Sequence, residues 1–168
     1  MAVPDFCPCA TLPQRERRHA DTSIGHRSYD RSGCGGVQPG FAEPARDLGP
    51  RDELRKLLLD VLRPIIVRDL DQEEEIRFVV QTMRVQDRWA WIVARPQTAS
   101  GRPINLEETR YAPQVREGMM DGDTIYALLE HNPYAWVVKD FVIGPTDVAW
   151  EDWPQRYGAP RELLGLGG

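Results

Sequence analysis

From Ile125 the chain reads Ile-Tyr-Ala-Leu-Leu-Glu-His-Asn-Pro-Tyr-Ala-Trp-Val-Val-Lys-Asp-Phe-Val-Ile-Gly-Pro-Thr-Asp-Val-Ala-Trp-Glu-Asp-Trp, ending at Trp153. This is the pattern of two β-strands joined by a tight His131-Asn132-Pro133 turn, followed by a Gly144-Pro145 break and a Trp-rich closing segment. Asn tolerates unusual backbone angles and Pro fixes φ, which favours a turn at that place. The second strand is dense in β-branched and aromatic residues, as suits a central strand rather than an edge.

Working outward, two further strands precede these. Ile76 to Val85 places Ile76, Phe78 and Val80 on one face and Val79, Met83 and Val85 on the other. Gln86-Asp87-Arg88 turns the chain, and Trp89 to Arg95 returns with Trp89, Trp91 and Val93 opposite Ala90, Ile92 and Ala94; Pro96 is expected to stop it. Residues 97 to 120 contain Gly101, Pro103 and Pro113 without a clean period, so a long loop is expected, with a short helix after Pro113. Asp121-Gly122-Asp123 turns into the third strand, Thr124 to Glu130.

The clearest periodic signal lies upstream. Leu54, Leu57, Leu58, Val61, Leu62, Ile65 and Ile66 recur at the spacing of one helical face, with Asp52 as N-cap. Pro64 lacks an N–H and should kink or end this helix near Arg63. The acidic run Asp71 to Glu75 reads as a solvated connector. The fold class is therefore α+β, an N-terminal helix on a curved antiparallel four-stranded sheet, in an order like the cystatin-like and nuclear-transport-factor-like cones. One helix covers one sheet face, yet the second and fourth strands are apolar on both. The second face must meet the Trp150 to Tyr157 segment, another copy of the chain, or a ligand.

The first fifty of the 168 residues differ in composition. They hold six of the fourteen Pro, six of the fourteen Gly, all three Cys and two of the three His. Their apolar content cannot offset the entropy of ordering, so residues 1–49 are expected to be a disordered Pro/Gly-rich tail, or sequence upstream of the true start, and residues 50–168 a single domain. Cys7, Cys9, His19, His26 and Cys34 supply zinc-ligand chemistry, but one residue between the paired cysteines is shorter than the usual spacing. The net charge of −5 belongs to the folded part, which argues against a nucleic-acid partner. No run of about eighteen apolar residues predicts a membrane span, and no apolar stretch near the start reads as a secretory signal.

No Gly-rich phosphate loop, His-x-x-x-His pair or Gly-x-Ser-x-Gly elbow is present. Trp89, Trp91, Trp136, Asp147, Trp150 and Trp153 are the candidate ligand- or partner-binding residues, since indoles beside a carboxylate can wall a polar pocket; the same residues equally suit packing onto a sheet. His131 is the one histidine of the folded part, and Asp121 and Asp123 with Glu107 or Glu108 present cation-type ligands that a simple turn explains as well. No catalytic residue, cofactor or metal is assigned.

The helix with Leu57-Leu58-Leu59-Asp60-Val61-Leu62-Arg63-Pro64, the Trp89-Ala90-Trp91 strand and Gly144-Pro145-Thr146-Asp147-Val148-Ala149-Trp150 followed by Tyr157-Gly158-Ala159-Pro160 resemble a family of small bacterial proteins without an assigned activity. The resemblance implies export, hence a periplasmic or secreted location, whereas the sequence as it stands reads as cytoplasmic. The expected function is a non-catalytic binding or interaction module that dimerises or meets a protein partner through the second sheet face. The alternative is an enzyme with a small aromatic-lined pocket, using Asp147, His131 or Tyr111.

Overall fold

The computed structural model describes residues 43–167. The expected tail up to residue 42, with its Cys7, Cys9, His19, His26 and Cys34, lies outside them. The described chain runs β1 (Arg46–Asp47), α1 (Glu53–Asp69), β2 (Ile76–Gln86), β3 (Trp89–Thr98), a 3-10 turn (Leu106–Glu108), α2 (Ala112–Arg116), β4 (Ile125–His131), β5 (Trp136–Ile143) and α3 (Trp153–Tyr157). The sheet has five strands, not four, in the order β1-β2-β3-β4-β5, every neighbour antiparallel. The additional strand is the short β1, which pairs Arg46 with Val85 and Asp47 with Arg84. It lies inside the stretch expected as tail, and the next residue, Leu48, is 4% exposed in the core.

α1 begins where Asp52 accepts a hydrogen bond from the Leu54 amide at 3.0 Å. The Arg46 guanidinium bonds the other carboxylate oxygen at 3.0 Å. Arg46 foremost, then the Leu54 N–H, hold this carboxyl below its ordinary pKa. Leu58, Leu62 and Ile66 are fully buried against the sheet. The helix does not end at Arg63. Pro64 sits inside it and is exposed, so the turn that loses a hydrogen bond faces water, while Ile66 and Leu70 beyond it are buried.

Two β-bulges set which residues face α1. In β2, Val80 is opposite Ala94 and Thr82 opposite Val93, leaving Gln81 without a partner. A one-residue insertion reverses the alternation, so Met83 and Val85 join Ile76, Phe78 and Val80 on the helix side. Strict alternation had placed them on the other face. In β5, Asp140 is opposite Leu128 and Val138 opposite Leu129, and Lys139 is the extra residue. β5 itself is an edge strand, not a central one. Its Trp136, Val138 and Phe141 pack into the helix-side core, which accounts for its apolar composition, and the Lys139 bulge blunts the open edge.

Pro96 does not stop β3, which runs on to Thr98. β4 pairing ends at Ala94 opposite Ile125, so Pro96 has a ladder neighbour on one side only and its missing N–H costs nothing on the other. In the segment from Gln97 to Met120, Asn105 caps the 3-10 turn through the Glu107 amide at 3.1 Å, and α2 starts with Pro113 in its first turn.

At the far end of β5 the chain reverses at Gly144, whose φ is +54. Its N–H bonds Thr124 O and its carbonyl accepts from Asp121 N, both at 2.8 Å. A Cβ there would lie 2.2 Å from the Gly122 carbonyl oxygen. Gly158 also has positive φ, +75, but a Cβ there meets nothing within 4 Å. Gly158→Ala should therefore cost about 1–2 kcal/mol, the left-handed backbone alone, and Gly144→Ala roughly 3 kcal/mol or more. Denaturant unfolding of the two variants checks the difference; equal losses would contradict the close backbone contact.

Candidate functional site

The second face of the sheet is covered by the chain's own C-terminal segment. Trp89, Trp91 and Leu128 from β3 and β4 pack with Trp153, Ala159, Leu163 and Leu164, all under 5% exposed. Trp91 lies 5.5 Å from Trp150 and 5.9 Å, edge-on, from Trp153. Trp150 stacks on Tyr126 at 4.1 Å with an interplanar angle of 20°. Offset and edge-to-face aromatic pairs of this kind add about 0.5–1.5 kcal/mol beyond area burial. The cluster is a second core.

Five of the six proposed binding residues therefore sit in one of two quite different settings, and the sixth stands apart. Trp89, Trp91, Trp150 and Trp153 do come together, as packing partners. Trp136 is on the opposite, helix-side face, 5.1 Å from the His131 ring. Asp147 is exposed and faces water; the Ala149 amide bonds its backbone carbonyl at 2.9 Å, and no side-chain hydrogen bond links it to the indoles. Asp123 is 7% exposed and its carboxylate is taken up by Arg95 at 2.6 Å, a pairing that raises the Arg95 pKa.

The polar group that ties the segment down went unread in the sequence. Asp140, on β5, accepts from the Tyr157 hydroxyl at 2.6 Å and lies 3.5 Å from the Arg156 guanidinium. The Asp140 hydrogen bond, and burial after it, raise the Tyr157 pKa. Lys139 bonds Glu130 at 3.0 Å, and Lys139 and Arg156 lie 5.9 and 5.0 Å from the Tyr157 ring. Half-exposed ion pairs contribute about 0–1 kcal/mol, whereas each fully buried leucine contributes roughly 1.5–3 kcal/mol. Leu163 and Leu164, not the charges, hold the segment; the charges set where it lands.

A second polar cluster ties α1 to α2. The Tyr111 hydroxyl donates to Asp69, the last residue of α1, and Arg110 pairs with the same carboxylate at 3.1 Å. Burial, and then the Asp69 hydrogen bond, push the Tyr111 pKa well above the usual tyrosine range. Neither tyrosine lines any of the four surface clefts.

Four surface clefts of about 270 to 480 Å³ lie elsewhere. Three surround the acidic connector and the 98–108 segment; the largest lies between Glu43–Arg46 and Val85–Asp87. No Trp lines any of these four. No group of three or more His, Cys, Asp or Glu among the described residues is placed to hold a metal ion. No helix among them is long and apolar enough to cross a membrane. Comparison with protein-family models, with curated proteins and with solved structures finds no match to this chain.

Trp153→Ala should cost about 3–5 kcal/mol of stability and Asp147→Ala within about 0.5 kcal/mol; chemical denaturation of each variant decides whether the indole is core. Tyr111→Phe should cost about 1–2 kcal/mol at neutral pH. Because the folded hydroxyl titrates above its unfolded value, that contribution is complete below the ordinary tyrosine range and is lost as pH rises through the folded pKa. The stability gap between wild type and Tyr111→Phe should stay constant up to mildly alkaline pH and close only in strong alkali.

Proposed function

We propose that the domain is a non-catalytic binding or interaction module. The observation that carries this reading is the closure of the Trp-lined sheet face by residues 150–166. The aromatic wall an enzyme pocket would need is occupied by the chain itself, with Trp89, Trp91 and Trp153 each 3% exposed. The same closure moves the expected partner contact away from that face. Large apolar groups stay exposed elsewhere, among them Leu57, Val79, Met119 and Val148 at about half exposure and Tyr134 at 95%. A likeness to the cystatin-like cones belongs to this proposal, supported by α1 preceding the four meandering antiparallel strands β2 to β5, though β1 comes before it; the likeness to the exported bacterial family belongs to it on its sequence motifs alone.

Tryptophan emission separates the two classes. A module should emit from buried indoles and keep that spectrum when nucleotides, sugars, aromatic acids and metal ions are added singly. Saturable quenching by any one of them, removed in Trp91→Phe, would overturn the reading in favour of an aromatic-lined pocket.

A further inference from the structure

We propose that the second core carries oxidising equivalents: a radical formed on Trp150 passes through Trp91 and Trp153 to Tyr157, which gives up its proton to Asp140. This goes beyond the interaction-module reading and does not depend on it. The rings form an unbroken series. Trp150 and Trp91 have centroids 5.5 Å apart, Trp91 and Trp153 5.9 Å, and Trp153 and Tyr157, one helical turn apart on α3, 6.4 Å. At such spacings neighbouring ring edges are close to contact, and electron transfer, which decays exponentially with the gap, is fast at every step. The two ends are half-buried while Trp91 and Trp153 are 3% exposed, so the series enters the core at Trp150 and leaves it at Tyr157.

Each end suits its part. The Trp150 indole N–H is buried without a hydrogen-bond partner among the described residues. An indole that has lost an electron becomes a strong acid. Without an acceptor it keeps its proton and remains a radical cation, the form that readily takes an electron from a neighbour. Tyr126, stacked on Trp150 at 4.1 Å, lays π-electron density against that charge. At the other end the Tyr157 hydroxyl donates to Asp140 at 2.6 Å. A phenol is oxidised readily only when its proton leaves with the electron, and here a carboxylate is already in place to receive it. The Arg156 guanidinium and the Lys139 ammonium lie 5.0 and 5.9 Å from the same ring. Two cations oppose positive charge on the phenol, which leaves the neutral phenoxyl as the product.

Electrons and proton balance along this route. A one-electron radical oxidant, of the azidyl or carbonate-radical class, takes one electron from Trp150 and is reduced to its anion. An electron from Trp91 refills Trp150, one from Trp153 refills Trp91, and one from Tyr157 refills Trp153 as the phenolic proton moves to the Asp140 carboxylate. The tryptophans end unchanged, with a phenoxyl at Tyr157 and a neutral carboxyl at Asp140. A soluble reductant of the thiol or ascorbate class returns the electron at the half-buried Tyr157 ring, and Asp140 returns the proton. The indoles that cover the sheet are thereby spared permanent oxidation.

Pulse radiolysis of the full chain in azide solution tests this, because azidyl attacks indole in preference to phenol. In wild type a phase of indole-radical decay should coincide with growth of phenoxyl absorption, at a rate independent of protein concentration. Tyr157→Phe keeps the ring and removes the hydroxyl; it should lengthen that indole-radical phase by roughly tenfold or more. Asp140→Asn keeps the shape but supplies a far weaker base, and should slow phenoxyl growth by a similar factor of roughly ten. Tyr126→Phe should leave the growth intact. Wild-type tryptophan emission in Tyr157→Phe shows that the ring series itself is undisturbed. Equal growth in wild type and Tyr157→Phe, no slowing in Asp140→Asn, or a rate that rises with protein concentration overturns the proposal.

Discussion

β3 and β4 are apolar on both faces, and that constraint governs the rest of the fold. Ala90, Ile92, Ala94, Ile125, Ala127 and Leu129 face α1, while Trp89, Trp91 and Leu128 face the other way. A strand buried on both sides needs two covers. α1 supplies one through Leu58, Leu62 and Ile66. The second comes from the last part of the chain, which must turn back over the sheet after β5. Gly144 permits that reversal because no side chain could occupy the space its backbone shares with Gly122. The Gly-Pro break and the tryptophans after it are thus one device: the first redirects the chain and the second are what it delivers.

The two bulges serve the same end. Each adds one residue to a long strand and changes its facing, so a strand whose apolar positions do not strictly alternate still directs them to the core. Gln81 brings Met83 and Val85 under α1. Lys139 keeps Val138 and Trp136 on that side while Asp140, one residue on, faces the C-terminal segment and receives Tyr157. The bulge in β5 therefore blunts an open edge and aims the carboxylate that positions the second cover.

Most of the element order was legible, because α1 and the strands carry strong periodic patterns and their turns carry Asn, Pro and Gly. The need for a cover on the second face was also legible from β3, with Trp150 to Tyr157 among the candidates for it, but the other two-sided strand is β4 and not β5, whose apolar residues lie mostly on the helix side. What was not legible depends on tertiary context. Bulges leave no mark in alternation except its failure. Pro64 and Pro96 act as breakers only where their missing N–H would have had a partner, and here one faces water and the other an unpaired strand side. β1 is too short to carry a pattern. Trp136 was grouped with Trp91 by residue type alone, and the register places it on the opposite face. Asp140 looked like any surface acid, since its partner is seventeen residues away.

The C-terminal segment packs as core rather than as a lid, and native-state hydrogen exchange reads that directly. The amides of Gln155, Arg156 and Gly158 are hydrogen-bonded within the segment, to Asp152 O, Asp152 O and Pro154 O, and those of β3 lie beneath it. If the segment is core, its protected amides exchange only through the global unfolding that releases β3, with the same free energy and the same denaturant dependence. Exchange of the segment through a smaller opening, with β3 still protected, would contradict the account and make the Trp-lined face an accessible surface.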